Sequence, residues 1–367
     1  MKPYVPQPLP LSSLNWESLV RLIGKANADL ARYDGILQGV VNPTVLLSPL
    51  TTQEAVLSSR IEGTVATLEE VLEFEAEPEQ RPSKYEDIHE IINYRRALNV
   101  AVEELNKRPI SLNMVKKIHS VLLEGVRGQD KGRGRFRKTQ NWIGKPGSPI
   151  EKATFVPPEP QELMKYLDIW EKYVHHDEED RLVQLAIIHA QFEMIHPFSD
   201  GNGRVGRILV PLFLFEKRLL SSPMFYISAY LETNRQAYYA GLQSISRDGD
   251  WDGWIRFFLT TIIEQAAANS AKAKAVLALY ESMKSDIHEM TRSQFTVHTL
   301  DTIFDRPIFT TSDFVKRSKI PRASAMRILG QLQKGGILET ARQGKGRRPA
   351  ILAFRELLDI VEKYDFS

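Results

Sequence analysis

The stretch that decides how this chain is built is residues 196–207, which reads HPFSDGNGRVGR. It lies between two apolar segments whose spacing predicts helices near residues 180–195 and 205–218. A Gly-Asn-Gly turn that enters a helix leaves backbone N–H groups without intrahelical partners at the positive end of the helix dipole. Because phosphates are the commonest occupants of such sites, we expect two buried helices joined by a phosphate-binding turn.

One pattern inside this stretch, Gly201-x-Gly203-x-x-Gly206, also matches the dinucleotide-binding fingerprint. That fingerprint needs a β-strand before it and an acidic residue about 20 positions after it. A helical pattern precedes the turn here, so the sequence argues against a Rossmann unit.

The polar side chains of the stretch are those that phosphate chemistry needs. Arg204 and Arg207 fall on one face of the first helical turn and supply charge-assisted donors. Asp200 can hold a hard cation such as Mg²⁺ against phosphates, and His196 belongs to the residue type that titrates near neutrality. This combination predicts phosphoryl or nucleotidyl transfer. The alternative is a glycine turn between two helices, with surface arginines and a capped histidine.

At these positions the chain resembles the Fic family, whose signature is His-x-Phe-x-Asp/Glu-Gly-Asn-Gly-Arg-x-x-Arg. The resemblance implies a protein adenylyltransferase, which cleaves ATP between its α- and β-phosphates and places AMP on a Ser, Thr or Tyr hydroxyl of a target protein or of itself. It implies that His196 deprotonates the hydroxyl and that Asp200 binds Mg²⁺. The phosphate-transferring Doc branch has Lys where Gly203 stands, which favours AMP transfer. By the same resemblance, ATP and its phosphates would be bound by Gly201, Asn202, Gly203, Arg204, Val205, Gly206 and, at the γ-phosphate, Arg207.

A second match to the family lies upstream, where residues 58–63 read SSRIEG. This is similar to the family's inhibitory-helix pattern, Ser/Thr-x-x-x-Glu-Gly/Asn, with Ser58 and Glu62 at its defined positions. Independently, Glu62 falls in an otherwise apolar helix predicted near residues 49–75, where a carboxylate needs a partner. A pair with Arg207 would satisfy Glu62 and remove Arg207 from the γ-phosphate. The alternative is an exposed glutamate that pairs with Arg60 or with nothing. By resemblance to the animal relative, Glu62 can also serve the reverse removal of AMP.

Two further regions resemble the family's flap and adenine side. Residues 126–160 are rich in Gly and Pro and predict a long loop with a β-hairpin, which would dock the target segment as an extra strand. Tyr238 and Tyr239 resemble the adenine-side aromatics, and Ser246 stands where the animal relative has Asn. The alternative for the two tyrosines is one core and one surface residue. The flap positions that would border the nucleotide are Lys152, Ala153, Thr154 and Phe155.

Composition places this chain of 367 residues among ordinary globular proteins, with 43% hydrophobic and 26% charged residues and a net charge of +2. The absence of cysteine excludes disulfides, cysteine nucleophiles and thiolate zinc sites. The longest strictly apolar run covers residues 208–215, whereas a membrane span needs about 20 residues. Since the N-terminus lacks a signal-like core, we expect a cytoplasmic protein with no membrane partner.

Helical periodicity dominates residues 16–300, so we expect a mainly α fold, a Fic-type helical bundle with a β-hairpin flap. Four units are predicted: an N-terminal arm and helical segment with the inhibitory helix (1–105), a catalytic core (106–270), a connecting helix (271–295) and a winged-helix domain (296–367). The individual helices, besides those already given, are predicted near residues 85–106, 112–125, 160–174, 234–247 and 251–290.

The last unit shows three short helices and then two strands around the basic tip 344–348, an order typical of a winged helix. Residues 305–355 contain 12 Lys+Arg and 3 Asp+Glu, a net charge of +9. The alternative function is therefore a DNA-binding regulator in which the Fic part senses nucleotide. Winged helices also dock proteins, and this one could form a homodimer. The candidate DNA contacts are Arg322, Ser324, Arg327, Arg347 and Arg348.

Overall fold

The computed structural model describes residues 2–40, 42–78, 82–128, 130–145, 147–344 and 349–363. This part of the chain is mainly helical, as the sequence predicts, and its three short strands lie near the C-terminal end. None of its helices is both long and apolar enough to span a bilayer. The helices are α1 Trp16–Gly39, α2 Pro43–Leu46, α3 Ser48–Ile61, α4 Leu68–Ala76, α5 Tyr85–Leu105, α6 Leu112–Leu122, α7 Leu163–Val174, α8 Arg181–Ile195, α9 Asn202–Glu216, α10 Ser228–Thr233, α11 Arg235–Asp248, α12 Trp251–Thr291, α13 Thr296–Asp305, α14 Thr311–Ser318, α15 Arg322–Lys334 and α16 Arg355–Glu362. The strands are β1 Ile308–Thr310, β2 Glu339–Arg342 and β3 Ile351–Ala353.

Helices α8 and α9 form the centre of the bundle. Both are apolar around most of their circumference, which is typical of a helix surrounded by protein, and nearly all of their residues are buried. The 41-residue α12 packs along α1 and against α8 and α11. Trp170 and Trp254 donate hydrogen bonds from Nε1 to the carbonyls of Ile188 and Ala186 in α8, at 2.9 and 2.8 Å. The turn between α8 and α9 is therefore carried by a rigid core.

The single helix predicted near residues 49–75 is wrong, because the structure has two helices there, α3 and α4. Gly63 ends the first with a φ of 98°, in the left-handed region that L side chains rarely adopt. Thr67 begins the second through a capping box, in which its side chain accepts from the N–H of Glu70 and the Glu70 carboxylate accepts from the N–H of Thr67. Apolar spacing misses this break because Val65, which continues the apolar stripe, is 63% exposed in the connecting turn.

The β-hairpin predicted for the flap has one antiparallel bridge among the described residues, which joins Ile143 and Phe155. The N–H of Ile143 donates to the carbonyl of Phe155, and the N–H of Thr154 donates to the carbonyl of Ile143, both at 2.8 Å. The N-terminal arm lies against this bridge, since the N–H of Tyr4 donates to the carbonyl of Val156 at 2.8 Å. Prolines, and glycines with a positive φ, flank the bridged residues and limit the antiparallel pairing to this one pair of residues.

Residues 296–363 follow the order α13, β1, α14, α15, β2, β3, α16, and the strands form an antiparallel sheet in the order β1-β3-β2. This is the element order predicted for a winged helix, to which the structure adds α16. The predicted contacts Arg347 and Arg348 lie outside the described residues. Ion pairs from Arg342 to Glu77 and from Arg355 to Glu69 dock these elements beside α4. Helix α12 runs unbroken through residues 270–271, where a unit boundary is predicted.

Candidate active site

The connection between α8 and α9 places the signature residues in one tight turn. Helix α8 ends at His196, which has a φ of 49°, and α9 begins after Gly201, which has a φ of 76°. Asn202 braces this turn, because its Oδ1 accepts from the N–H of Phe198 at 2.8 Å and its Nδ2 donates to the carbonyl of Phe198 at 2.9 Å. The Asn202 side chain is thereby engaged, so this residue can meet a phosphate through its backbone N–H.

His119 of α6, a residue that the sequence analysis does not single out, supports the turn from the protein side. Its Nδ1 accepts from the N–H of Gly134 at 2.9 Å, which leaves Nε2 to donate to the carbonyl of Asp200 at 3.0 Å. Its ring stacks on Phe198 with ring centroids 3.8 Å apart. Burial lowers the pKa of His119 to about 4, so the ring is neutral at physiological pH.

A cavity of about 730 Å³ opens between this turn, the flap and α11. That volume lies within the range of small-molecule sites, about 300–1,000 Å³. The predicted site residues that line it are Glu62, Thr154, Phe155, His196, Asp200, Gly203, Arg207, Tyr238, Tyr239 and Ser246. Those that lie outside its lining are Ser58, Lys152, Ala153, Gly201, Asn202, Arg204, Val205 and Gly206.

His196 faces the cavity from the end of α8. Its Nδ1 lies 3.1 Å from the carbonyl oxygen of Glu193, so Nδ1 carries the proton and Nε2 has a free lone pair. Burial lowers the pKa of His196 to about 4, although the hydrogen bond to Glu193 and the charge of Glu62 oppose this shift. A neutral imidazole in this tautomer can accept a proton from a hydroxyl group in the cavity.

The predicted pair between Glu62 and Arg207 is present in the structure. Nη2 of Arg207 donates to Oε1 of Glu62 at 2.7 Å and to the carbonyl of Ser58 at 2.9 Å, and its Nε donates to Oγ of Ser58 at 2.8 Å. Burial opposes the charge of Glu62, but the Arg207 guanidinium outweighs it and lowers the pKa of Glu62. Arg207 is itself buried, and Glu62 keeps the pKa of Arg207 above its ordinary value.

Helix α3, which precedes Glu62, is part of the core. Eleven of its 14 residues are buried, and the carboxylate of Glu54 accepts from both the N–H and the hydroxyl of Ser228, at 2.9 and 2.6 Å. Glu62 itself is the C-cap, and its side chain is 34% exposed. The Glu62 side chain is therefore free to turn away from Arg207 while α3 stays in place.

Arg204 does not reach the cavity. Its Nη1 donates to Oε2 of Glu90 at 3.0 Å, and each of these two side chains is only 5% exposed. Its Nη2 lies 3.7 Å from Oδ1 of Asp200, on the outer side of the turn. Arg204 therefore holds the turn to α5 from a position next to the predicted phosphate cradle.

Asp200 is suited to a cation that arrives with phosphates. Its Oδ1 accepts from the N–H of Gly201 at 2.7 Å, and its Oδ2 pairs with Nζ of Lys131 at 3.2 Å. Within the described ranges there is no group of three or more His, Cys, Asp or Glu that could hold a metal by itself. Mg²⁺ is commonly bound by one or two carboxylates together with substrate phosphates, so the residues present fit that ion.

Of the residues predicted for the adenine side and the flap, some line the cavity and others do not. Tyr238 is a core residue whose hydroxyl lies 2.9 Å from Nε2 of His189, whereas Tyr239 is 44% exposed. Both nevertheless border the cavity, with Ser246 about two turns further along α11. On the flap, Thr154 and Phe155 line the cavity. Lys152 and Ala153 do not, because the 3-10 turn Ile150–Lys152 carries them past its edge.

Two family models match consecutive parts of the chain. The model of the Fic/DOC family N-terminal region matches residues 20–103, and that of the Fic/DOC family matches residues 109–214. The chain belongs to the Fic/DOC family.

Curated relatives of this Fic/DOC chain carry the name protein adenylyltransferase. A probable protein adenylyltransferase of Aquifex aeolicus is 29% identical over 194 residues, which are 52% of this chain and 56% of that protein. Protein adenylyltransferase fic-1 of Caenorhabditis elegans is 27% identical over 165 residues, which are 44% of this chain and 29% of that protein. The chain thus spans about half, or less, of the length of these relatives.

Solved structures share the fold of this Fic/DOC chain. A Fic family protein from Desulfovibrio desulfuricans G20 aligns with a TM-score of 0.59 at 18% identity and covers 95% of this chain and 98% of its own. Fic-1 of C. elegans, residues 134–508, aligns with a TM-score of 0.54 at 20% identity over 69% of this chain and 72% of its own. At these identities the likeness establishes the fold.

Sequence reasoning missed half of the cavity of this Fic/DOC protein. Leu242 and Gln243 lie three and four positions after Tyr239, so helical spacing could have placed them on the same face. Glu193 is a lone acid in an apolar helix three residues before His196, which is the kind of signal that identified Glu62. The cavity residues that were not predicted are Lys131, Trp142, Ile143, Gly144, Glu193, Met194, Ser199, Leu242 and Gln243.

Proposed function

We propose that this Fic/DOC chain is a protein adenylyltransferase, which transfers AMP from ATP to a Ser, Thr or Tyr hydroxyl and is restrained by its own Glu62. One observation carries the proposal. The free Nε2 of His196 faces the same cavity as the Arg207 guanidinium and the N-terminal turn of α9. A base, a phosphate-binding cation and a helix N-terminus thus converge on one space that is large enough for a nucleotide.

The N-terminal turn of α9 supplies the anion site. The N–H of Val205 makes the first intrahelical bond, to the carbonyl of Gly201 at 3.1 Å. The N–H groups of residues 202–204 precede this bond and point along the positive end of the helix dipole. Gly203 lines the cavity without a side chain, and the Glu62 carboxylate lies next to it, so phosphate oxygens could approach the backbone there once Glu62 moves.

The reaction follows from these positions. Nε2 of His196 accepts the proton of the acceptor hydroxyl, and the hydroxyl oxygen attacks the α-phosphorus of ATP. The bond between the α-phosphorus and the bridging oxygen breaks, so AMP stays on the acceptor and pyrophosphate leaves. Asp200 would hold Mg²⁺, which neutralises charge on the phosphates when it is bound.

The restraint follows from the Glu62–Arg207 pair. Two of the nitrogens of Arg207 already donate to Ser58 and Glu62, and the negative charge of Glu62 faces the cavity. A terminal phosphate at this place would meet a carboxylate and an occupied guanidinium. Movement of Glu62 would free one N–H of Nη2, whose other N–H stays with the Ser58 carbonyl, and would remove the repulsion at the same time.

The test is transfer of label from ATP that is radioactive at the α-phosphate. We expect the Glu62→Gly protein to label itself and proteins of a cell lysate, and the purified protein to take up no label from γ-phosphate-radioactive ATP. The Glu62→Gly/His196→Ala protein should bind ATP and transfer nothing. Labelling by γ-phosphate-radioactive ATP would show phosphoryl transfer instead, and equal labelling without His196 would refute the proposed base.

A DNA-binding regulator is the second candidate, because Lys316, Lys319 and Arg322 are exposed and form no ion pair in the part of the chain that the structure describes. Other cations of the module are engaged internally: Arg317 pairs with Asp305 and Asp313, and Arg327 donates to the carbonyl of Thr291. DNA binding would appear as affinity that falls steeply with salt and is weakened by Arg322→Ala. Unchanged affinity in that variant would remove this candidate.

A further inference from the structure

Glu193 is a buried acid in the cavity that the reaction above does not use. It lies on α8, it is 9% exposed, and it lines the cavity together with Arg207 and Tyr238. Its Oε1 is buried and has no hydrogen-bond partner among the described residues. Buried polar atoms of this kind are rare in folded proteins, and a carboxyl oxygen without a hydrogen-bond partner disfavours the ionised form of the group.

Helix α9 leaves space for this carboxyl group. A Cβ atom at Gly206 would lie 2.2 Å from Oε1 of Glu193, so only glycine lets the carboxyl group lie against the backbone of α9. This position is one residue before Arg207, whose guanidinium is the expected contact of the terminal phosphate. Glu193 therefore packs against the N-terminal part of α9, the helix that carries Arg207.

The groups that face Glu193 come from four elements. Arg207 comes from α9, Glu62 follows α3, Tyr238 comes from α11, and His196 binds the Glu193 carbonyl at the end of α8. Burial raises the pKa of Glu193 to about 8, with Glu62 adding to this shift and Arg207 opposing it. Among the neighbours, the pKa of Glu62 is lowered, that of His196 is about 4, and those of Tyr238 and Arg207 are raised well above their ordinary values. Glu193 is thus the member of this group whose pKa, about 8, lies nearest to neutrality.

We propose that Glu193 is a nucleotide-binding residue whose neutral carboxyl group donates a hydrogen bond to an oxygen of the triphosphate beside Arg207. The inference rests on the proposed function, because it takes ATP as the ligand. An ionised carboxylate at this place would repel the triphosphate and compete for Arg207, as Glu62 does. The protonated form supplies a donor instead and leaves Arg207 to the phosphate.

The consequence is a pH-dependent affinity for phosphates. If only the protonated form binds, the apparent dissociation constant rises about tenfold per pH unit above the pKa of the carboxyl group. A terminal phosphate has a second pKa of about 6, so the charge of the phosphate itself is nearly constant above pH 7.5. Removal of Glu62 lowers the pKa of Glu193, so the loss of ATP affinity then begins at a lower pH but still continues between pH 7.5 and 9.5.

The experiment compares ATP with adenosine, which has no phosphate, on the full chain carrying Glu62→Gly. Calorimetry at constant Mg²⁺ should show that the Kd for ATP rises at least tenfold between pH 7.5 and 9.5, while the Kd for adenosine changes less than twofold. The Glu62→Gly/Glu193→Gln protein should bind ATP at pH 7.5 within about threefold of its parent and show no such rise. Glutamine keeps the shape and a donor without an ionisable proton.

The possible outcomes separate this inference from the proposed function. Three results would refute the role of Glu193 alone. They are an affinity for ATP that does not change with pH, an affinity for adenosine that falls as much as that for ATP, and the same loss of ATP affinity in the Glu193→Gln protein. No ATP binding at any pH would refute both proposals. If the Glu193→Gln protein does not fold, the comparison of ATP with adenosine on Glu62→Gly still decides.

Discussion

Oε1 of Glu62 lies 2.7 Å from Nη2 of Arg207, and this contact joins two residues that are 145 positions apart. The two side chains differ in solvent exposure, since that of Arg207 is 1% exposed and that of Glu62 is 34% exposed. Arg207 is also fixed by two bonds to Ser58. Under the proposed restraint, release of the site would therefore come from a change in Glu62, while α3 and Arg207 keep their places.

The first prediction concerns the strength of this restraint. A hydrogen bond to a charged group is worth about 1.5–3 kcal/mol, so Glu62→Gly should raise the initial rate of self-labelling by about 10- to 150-fold. Glu62→Gln keeps the shape and loses the charge, so its rate should fall between the two. Glu73→Ala, which removes an exposed acid of α4, is the control and should leave the rate unchanged. Equal rates in wild type and Glu62→Gly would contradict autoinhibition.

The second prediction concerns the pH dependence of transfer. His196 must be neutral to accept a proton, and its pKa is lowered to about 4 by burial. Self-labelling by Glu62→Gly protein at saturating ATP should therefore stay level from pH 7 down to pH 5.5. An unperturbed histidine would lose most of its activity over that interval, because its pKa is about 6.5. A midpoint near pH 6.5 would show that His196 is solvated or is not the base.

The third prediction concerns stability against acid. The pKa of His119 is lowered to about 4 and that of His189 to about 3, in both cases by burial. The unfolded chain, with ordinary histidines, binds more protons below about pH 6.5, so the free energy of unfolding should fall as the pH drops from 7 to 5. Urea unfolding at both pH values measures this loss. His189→Gln should lose less stability over the same interval than the wild type does, and an equal loss would contradict the assignment.

The fourth prediction separates Arg204 from Arg207. Arg204→Ala removes one partner of the buried Glu90, whose carboxylate keeps Arg127 at 2.9 Å and Thr64 at 3.1 Å. Loss of a hydrogen bond to a charged group costs about 1.5–3 kcal/mol, and denaturant unfolding should show this loss. Arg108→Ala, at a side chain that is 59% exposed, is the control and should change stability by less than about 0.5 kcal/mol. A small effect of Arg204→Ala would show that Arg204 is available to substrate instead.

The sequence predicted much of the architecture and the residues of the turn. Helical periodicity identified most helices of the core, because apolar residues at a spacing of 3.6 must face a common interior. It did not resolve α1, α2 and α10 individually, and it missed α16. It merged α3 with α4 because apolar spacing continues through the turn that Gly63 and Thr67 create. Turn chemistry there decides the boundary, and hydrophobic periodicity does not report it.

The candidate site also combines features that the sequence predicts with features that it does not. The spacing of residues 196–207 was sufficient to predict an anion-binding turn with a base and a metal ligand, because these roles depend on neighbours within one turn of chain. Spacing also suggested that Arg204 and Arg207 act together on phosphate. The structure places them differently, since Arg204 pairs with Glu90, 114 positions away, and only Arg207 lines the cavity.

What the sequence determined by itself is thus the local arrangement: a glycine turn that enters a helix N-terminus, a histidine beside it, and an acid in an apolar stretch upstream. What only the tertiary structure decided is which partner each charged side chain takes and which residues share the cavity. Lys131 and Met194 could not be assigned to it from their positions in the chain. The physical reason is that backbone hydrogen bonding and side-chain period act over a few residues, whereas burial and ion pairing depend on packing between segments that are distant in sequence.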